Sequence, residues 1–235
     1  MLDRLKRWSY FWVKVESVSF KKITLADLRN RFGVRNRLTD LFDETKIAPV
    51  APSEYLLEQL HYARTLPVRS QKARSEFVVA PILLELCKRT NEFFTIFSGE
   101  ILNADAEKGL VGKCDFVLSK SSQSFDIDLP ILTVVEAKRE NLDMGVQQCA
   151  AQLYGAYVYN KKSGVALDVL YGCVTTADSW RFMALRNHEV EIDHRIYFRV
   201  ELDKVLGIFV YIIDYYRHHF VATDAPDPSA SAARE

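Results

Sequence analysis

The sequence lacks paired cysteines, closely spaced histidines and an internal repeat. Its four cysteines occur singly, at Cys87, Cys114, Cys149 and Cys173. Single cysteines in apolar surroundings are typical of small buried residues in a reducing compartment. The sequence therefore predicts neither a cysteine zinc site nor a disulfide framework. The five histidines show no metal-ligand spacing with one another, and we do not expect histidine catalysis.

The sequence also lacks a long hydrophobic run. The longest apolar stretch near the C-terminus, Val205 to Ile213, is too short to cross a bilayer and is followed by Asp214. The N-terminal residues are charged and aromatic, without the apolar centre of a signal peptide. We therefore expect a cytoplasmic protein without a membrane partner.

Net charge is absent as well, but the charges are unevenly distributed. Residues 1–75 carry 15 lysines and arginines against 8 aspartates and glutamates, whereas residues 76–235 carry 16 against 23. A basic N-terminal segment followed by an acidic remainder is compatible with a polyanionic partner, and equally with an ordinary solvated surface. The whole-chain charge therefore does not decide for or against nucleic acid.

The 235 residues are enough for one large domain or for one domain with an appendage. Residues 1–72 are basic, polar and interrupted by Pro49, Pro52 and Pro67, and we expect a helical appendage there. We expect the main domain to occupy residues 73–222. Residues 223–235 are rich in Ala, Ser, Asp and Pro, which predicts a disordered tail.

One short pattern in the appendage favours two helices. Thr24 is a plausible N-cap for a helix that ends at Phe32, with Gly33 as its stop. Residues 35–42 are expected to form a second short helix. Two helices joined in this way resemble a helix-turn-helix, although many helical corners read the same, and packing against the main domain is the favoured role.

From residue 75 onward the pattern predicts alternating helices and strands. Residues 130–137 are hydrophobic on both faces, as expected for a central strand. The predicted helices are 75–86, 144–160 and 202–216, and the predicted strands are 93–102, 111–118, 130–137, 165–174, 179–185 and 192–200. The fold class is therefore α/β, with a mixed central sheet flanked by helices.

The most informative feature is the point at which the strand 130–137 ends. Its apolar run delivers Glu136, then Ala137 and Lys138, and Asp115 lies 21 residues before Glu136 on the preceding predicted strand. If these strands pair, two carboxylates and an ammonium converge. Two carboxylates at such a short distance repel each other, and a divalent cation between them removes the repulsion. Mg²⁺ prefers one or two carboxylates together with water. The pattern predicts a site for phosphodiester hydrolysis.

Asp115 followed by Glu136-Ala137-Lys138, in the order helix, three strands, helix, strand, resembles the PD-(D/E)XK nuclease superfamily, whose core is the restriction-endonuclease-like αβββαβ fold. The resemblance covers about residues 75–176. It implies that Asp115 and Glu136 bind Mg²⁺, for which Mn²⁺ substitutes, and that the Ala137 carbonyl adds a ligand. It also implies that Lys138 assists the water molecule that attacks the phosphate.

Three further residues match positions at which members of that superfamily carry additional site residues. Glu76, near the start of the first helix, matches an additional acidic residue at the metal. Gln148 and Gln152 lie on the helix after the motif, four residues apart and so on one face. Two departures are visible, because Cys114 replaces the motif proline and no tyrosine follows either glutamine by four residues. Lys113, Lys120 and Arg139 flank the motif and are candidate phosphate contacts.

The sequence therefore predicts a Mg²⁺-dependent DNA endonuclease. Duplex DNA is the favoured substrate, while single-stranded DNA and RNA stay open. Cutting both strands with one site per chain calls for two chains, so a homodimer is also expected. The alternative is a catalytically silent nucleic-acid-binding or scaffolding module of the same fold.

Overall fold

The computed structural model describes residues 19–120, 126, 127, 129–138 and 141–224. Residues 221–224 are described by their backbone only. It shows a mixed α/β protein whose main sheet is flanked by helices. The helices are α1 Leu25–Phe32, α2 Glu54–Ala63, α3 Gln71–Arg74, α4 Ala80–Arg89, α5 Leu142–Lys162 and α6 Leu202–Asp224, with a π-helical segment Ser75–Val79 joining α3 to α4. The strands are β1 Arg35–Thr39, β2 Phe94–Ser98, β3 Ile101–Asp105, β4 Leu110–Lys113, β5 Phe116–Lys120, β6 Ile131–Ala137, β7 Val169–Thr175, β8 Ser179–Arg186, β9 Glu189–Asp193 and β10 Tyr197–Phe198.

The main sheet has the order β1-β9-β8-β7-β6-β5-β2, with β10 beside β8. Strand β6 lies near its centre, antiparallel to β5 and parallel to β7. All seven residues of β6 are buried, as the sequence predicted from a run that is hydrophobic on both faces. Strands β3 and β4 form a separate hairpin between β2 and β5.

Helices α5 and α6 cover opposite faces of this sheet. Gly172 on β7 lies against Leu153 and Cys149 of α5, so the two backbones approach closely. On the other face, Phe209 of α6 packs edge-on against Trp180, with ring centroids 5.9 Å apart. The central strands are therefore shielded from water on both sides, and only their ends reach polar surroundings.

The N-terminal part of the chain joins this core. The first predicted helix is confirmed as α1, with a capping box between Thr24 and Asp27 and a left-handed Gly33 at its end. The second predicted helix, residues 35–42, is wrong, because Arg35–Thr39 forms the edge strand β1 parallel to β9. The helix-turn-helix therefore has no second helix, and the appendage is not wholly helical.

The predicted boundary after residue 72 falls inside a helical segment. Helix α3 begins at Gln71, four residues before the predicted start, and continues through the π-helical segment into α4. Buried side chains from both sides of that boundary, Leu28 and Leu56 as well as Ile82, belong to one hydrophobic cluster. Of the predicted disordered tail, residues 223 and 224 lie in α6, and residues 225–235 lie outside the described part.

Two predicted strands are each divided in the structure. Residues 93–102 split at Gly99, whose φ of +74° turns the chain from β2 into β3. Residues 111–118 split at Cys114 and Asp115, which separate β4 in the hairpin from β5 in the main sheet. The remaining predicted elements are present with shifted bounds, and predicted strand 192–200 contributes β10 and the end of β9. Among the described residues, no helix is long and apolar enough to cross a membrane.

One buried amide fixes the start of β6 against the end of α5. The Asn160 side chain accepts a hydrogen bond from the Ile131 N–H and donates one to the Ile131 carbonyl oxygen, both at 2.9 Å. Only 2% of Asn160 is exposed. The pair satisfies two backbone groups at the end of a buried strand, which would otherwise be left unpaired.

We expect Asn160→Ala to destabilise the protein by about 2–4 kcal/mol, because two buried backbone groups lose their partners. Urea unfolding followed by circular dichroism measures this change. Asn36→Ala, on the exposed edge strand β1, is the matched control and is expected to stay within about 0.5 kcal/mol of the unsubstituted protein. Equal effects of the two substitutions would contradict this role of Asn160.

Candidate functional site

Asp115 lies directly before β5 and faces the end of β6. The antiparallel register places Phe116 opposite Val135, so Asp115 comes beside Glu136 and Ala137. The Ala137 N–H donates to Asp115 Oδ2 at 2.8 Å, and the Gln71 side-chain amide donates to the same oxygen at 3.0 Å. Two donors therefore fix the carboxylate at the point where the sequence predicted it.

Glu136 is the deepest charged residue of the site, with 1% of its surface exposed. Its Oε1 accepts a hydrogen bond from Lys138 Nζ at 2.7 Å, and its Oε2 accepts one from the Gln152 amide at 2.8 Å. Glu136 pairs with Val174 in the parallel ladder and faces α5, which supplies the glutamine. Both oxygens of a carboxylate inside the protein thus have a donor, as a buried charge requires.

Lys138 lies between the end of β6 and α5. Its Nζ also donates to Gln148 Oε1 at 2.7 Å, and its backbone N–H donates to the Thr175 carbonyl oxygen at 2.7 Å. Gly145 of α5 makes room for the lysine stem, because a Cβ there would lie 2.9 Å from Lys138 Cγ and 2.4 Å from Val174 Cγ1. The structure therefore brings Asp115, Glu136, Lys138, Gln148 and Gln152 to one end of the central strands.

The electrostatics of the site centre on two neighbouring carboxyl groups. Burial raises the pKa of the Glu136 carboxyl above its ordinary value, and the charge of Asp115 acts in the same direction. Lys138 lowers that pKa, by its charge and its hydrogen bond, without cancelling the effect. A second positive charge near the two carboxylates would therefore be stabilising.

The donor atoms at this place suit a hard divalent cation. Asp115 and Glu136 offer carboxylate oxygens, and the buried Oε1 of Gln152 has no hydrogen-bond donor among the described residues. Burial raises the pKa of the Cys114 thiol, so this sulfur is uncharged in the metal-free protein. Oxygen donors without thiolate fit Mg²⁺ or Mn²⁺. The part of the chain that the structure describes holds no group of three or more His, Cys, Asp or Glu residues arranged for a metal.

Glu76 does not join this group. Its exposed carboxylate pairs with Lys72, one turn earlier in the same helical segment, at 3.6 Å. Of the flanking cations, Lys120 lies over the ring of Phe220, 4.2 Å from its centroid, at the far end of β5. Lys113 passes Gly99 beside the site, and Arg139 lies outside the described residues. The Ala137 carbonyl as a ligand stays a prediction.

Gln71 is the site residue that the sequence interpretation missed. It is the first residue of α3, and the Ser70 side chain caps that helix by accepting a hydrogen bond from the Ala73 N–H. Ser70 followed by Gln-Lys-Ala-Arg, all good helix formers, is the signal that places the helix start there. The prediction began this helix at residue 75 and so assigned Gln71 to the N-terminal appendage.

Comparison with models of known protein families finds no match to this chain, and comparison with curated proteins finds none either. The interpretation of the site therefore depends on its geometry and chemistry.

We expect Mg²⁺ or Mn²⁺ to raise the melting temperature of the protein, because the cation offsets the repulsion between Asp115 and Glu136. At about a hundred times its Kd, a bound ion adds about 2.7 kcal/mol of stability. Thermal melts with and without metal test this for the unsubstituted protein and for Asp115→Asn, which is expected to lose the shift.

The control for this experiment is Asp105→Asn, which removes an ion-paired carboxylate on β3 and is expected to keep the shift. A metal-induced shift of equal size in Asp115→Asn would place the ion elsewhere.

Proposed function

We propose that the protein is a Mg²⁺-dependent nuclease that hydrolyses phosphodiester bonds in DNA. The observation that carries the proposal is the convergence of Asp115, Glu136 and Lys138 at one end of the central strands, with Lys138 Nζ 2.7 Å from Glu136 Oε1. A structural role alone does not require two neighbouring carboxylates, one of them buried, beside a lysine. Phosphodiester hydrolysis uses all three groups.

The order and pairing of the elements support the proposal. The helical segment 71–89 is followed by β2, β5 and β6, then by α5 and β7. β2 is antiparallel to β5, β5 is antiparallel to β6, and β6 is parallel to β7. This sequence of elements resembles the αβββαβ core of the restriction-endonuclease-like fold, with the motif residues at the start of its second strand and the end of its third. We therefore propose membership of the PD-(D/E)XK superfamily.

In this mechanism Asp115 and Glu136 hold the cation, with the Ala137 carbonyl as a further ligand. A Mg²⁺ ion held by these residues would supply positive charge to polarise the scissile phosphate and to lower the pKa of a water molecule. Gln71 and the Ala137 N–H both donate to Asp115 Oδ2, so among the described residues Oδ1 is the oxygen that would be available to the ion. The protein thus orients one ligand before the ion arrives.

Lys138 contributes a fixed positive charge and a proton donor. Gln148 and Glu136 each accept a hydrogen bond from its Nζ, so the ammonium stays at the sheet end instead of extending into solvent. Part of the side chain, 18% of its surface, is still open to solvent and so to a substrate. From there it orients the attacking water and stabilises negative charge that develops on the phosphate oxygens.

The substrate proposed is duplex DNA, with single-stranded DNA and RNA as the alternatives. One site per chain serves one strand, so a homodimer that presents two sites is part of the proposal. A cytoplasmic location fits a protein whose buried cysteines are all free thiols.

A second candidate function is a nucleic-acid-binding or scaffolding module without catalysis. The zero net charge of the chain favours the scaffolding form of this candidate, because nucleic-acid binding draws much of its affinity from neutralised phosphates. The two candidates differ in whether metal ions and Lys138 produce cleavage.

We expect the protein to nick supercoiled plasmid in the presence of Mg²⁺ or Mn²⁺ but not of a chelator. Asp115→Asn and Lys138→Met are each expected to reduce the rate by about a hundredfold or more, the size of effect seen when a charge-stabilising group is removed. Methionine keeps the apolar stem that packs against Gly145. Agarose gels of plasmid, linear duplex and single-stranded DNA measure the rate.

Lys162→Met is the matched control, since it removes a lysine that pairs with Asp105 on the hairpin strand β3. Cleavage that survives both site substitutions would contradict the proposed site. Metal-dependent stabilisation without cleavage of any substrate would favour the silent module.

A further inference from the structure

A groove runs between α2 and the segment that leads into α6. It consists of two adjoining cavities of about 270 Å³ and about 660 Å³. Both cavities are lined by Arg64, at the end of α2, and by Arg199, three residues before α6. Arg74 of α3 lines the first cavity. We refer to the space bordered by Arg64, Arg74 and Arg199 as the arginine groove.

The charge of the arginine groove is positive. Asp178 pairs with Arg74 at 3.2 Å and with Arg199 at 2.8 Å, so one carboxylate serves two guanidinium groups. Arg64 is exposed, and its guanidinium has no ion pair or hydrogen bond with any residue that the structure describes. Asp203 and His61 line the second cavity, which leaves a net positive charge in the groove. A groove of this charge suits an anionic ligand.

The arginine groove begins next to the candidate site. Arg74 lies three residues after Gln71, whose amide bonds to Asp115, so less than one helical turn separates the two contacts. Arg74 Nη1 donates to the Thr176 carbonyl oxygen at 2.6 Å. The preceding residue, Thr175, accepts the backbone N–H of Lys138. The groove and the carboxylates therefore share the end of β7 and the start of α3.

We infer that the arginine groove binds the phosphodiester backbone of DNA whose scissile phosphate lies at Asp115, Glu136 and Lys138. The identity of the polyanion rests on the proposed nuclease function, whereas the location rests on the three arginines. Arg64 contributes most to phosphate binding, because Arg74 and Arg199 already share Asp178. Guanidinium groups bind phosphate oxygens through paired donors, which a lysine of equal charge does only in part.

Part of the groove wall is apolar, since Val200 and Leu57 line the second cavity and are 92% and 51% exposed. A second copy of the chain is the competing occupant for such a wall. Arg64 lines both cavities and has no partner among the described residues, which argues for the nucleic acid, because burying Arg64 in a dimer interface without a partner would be costly.

The test is fluorescence anisotropy with a labelled duplex oligonucleotide of random sequence, in buffer with Ca²⁺ and again with chelator. Loss of one phosphate contact in Arg64→Ala is expected to weaken binding about fivefold near physiological salt. It is also expected to lower the slope of log K against log salt by about 0.9. Arg64→Lys keeps the charge and is expected to restore most of the slope.

Arg35→Ala is the matched control, because Arg35 is an exposed arginine at the opposite end of the strands, beside Glu189. Binding by Arg64→Ala equal to that of Arg35→Ala overturns the inference, whatever the cleavage assay shows. Binding that depends on Arg64 without metal-dependent cleavage supports the groove and contradicts the nuclease. If the unsubstituted protein binds no DNA, the groove is not a DNA site. The same follows if Arg64→Ala leaves DNA binding unchanged and alters only the mass of the protein measured by sedimentation.

Discussion

The arrangement around the site depends on placing one carboxylate, Glu136, inside the protein. A buried carboxylate without partners is strongly unfavourable, and here a lysine and a glutamine each donate to one of its oxygens. These donors are in reach because α5 lies close to the sheet, which in turn requires glycine at positions 145 and 172. The close packing of α5 on the sheet and the burial of the Glu136 charge at the end of β6 therefore depend on each other.

The sequence was sufficient for the features that are encoded locally. Strand β6 follows from a run that is hydrophobic on both faces, and α1 follows from Thr24 and Gly33 at its ends. The meeting of Asp115 with Glu136 was predictable because neighbouring strands in an α/β chain often pair, and the observed register joins Phe116 to Val135. The metal, the substrate and the reaction remain predictions that this geometry supports.

Other features depend on contacts that no local pattern contains. Residues 35–39 resemble a polar helix, yet they form β1 because their backbone pairs with β9, where Arg37 also meets Glu189 and Glu191. Gln71 became a site residue only because its helix begins earlier than the hydrophobic pattern suggests. Glu76 was assigned by position along the helix, but its exposed carboxylate pairs with Lys72 and not with the site. Residues 35–39 and Gln71 therefore depend on distant partners, β9 and Asp115, whereas Glu76 has its partner in its own helical segment.

The parallel pairing of β1 with β9 has a consequence for synthesis on the ribosome. Arg35 pairs with Glu189, so a further 154 residues (189 − 35), about two thirds of the chain, are synthesised after Arg35 before this edge of the sheet can close. Such non-local pairing is slow, and an unpaired strand in a nascent chain is exposed to association with other chains. Before β9 is synthesised, Arg35 and Arg37 give β1 two positive charges, which repel the same strand of a second chain. Charged side chains are a common protection of strand edges. The same two arginines then become ion-pair partners when the acidic strand is finally translated.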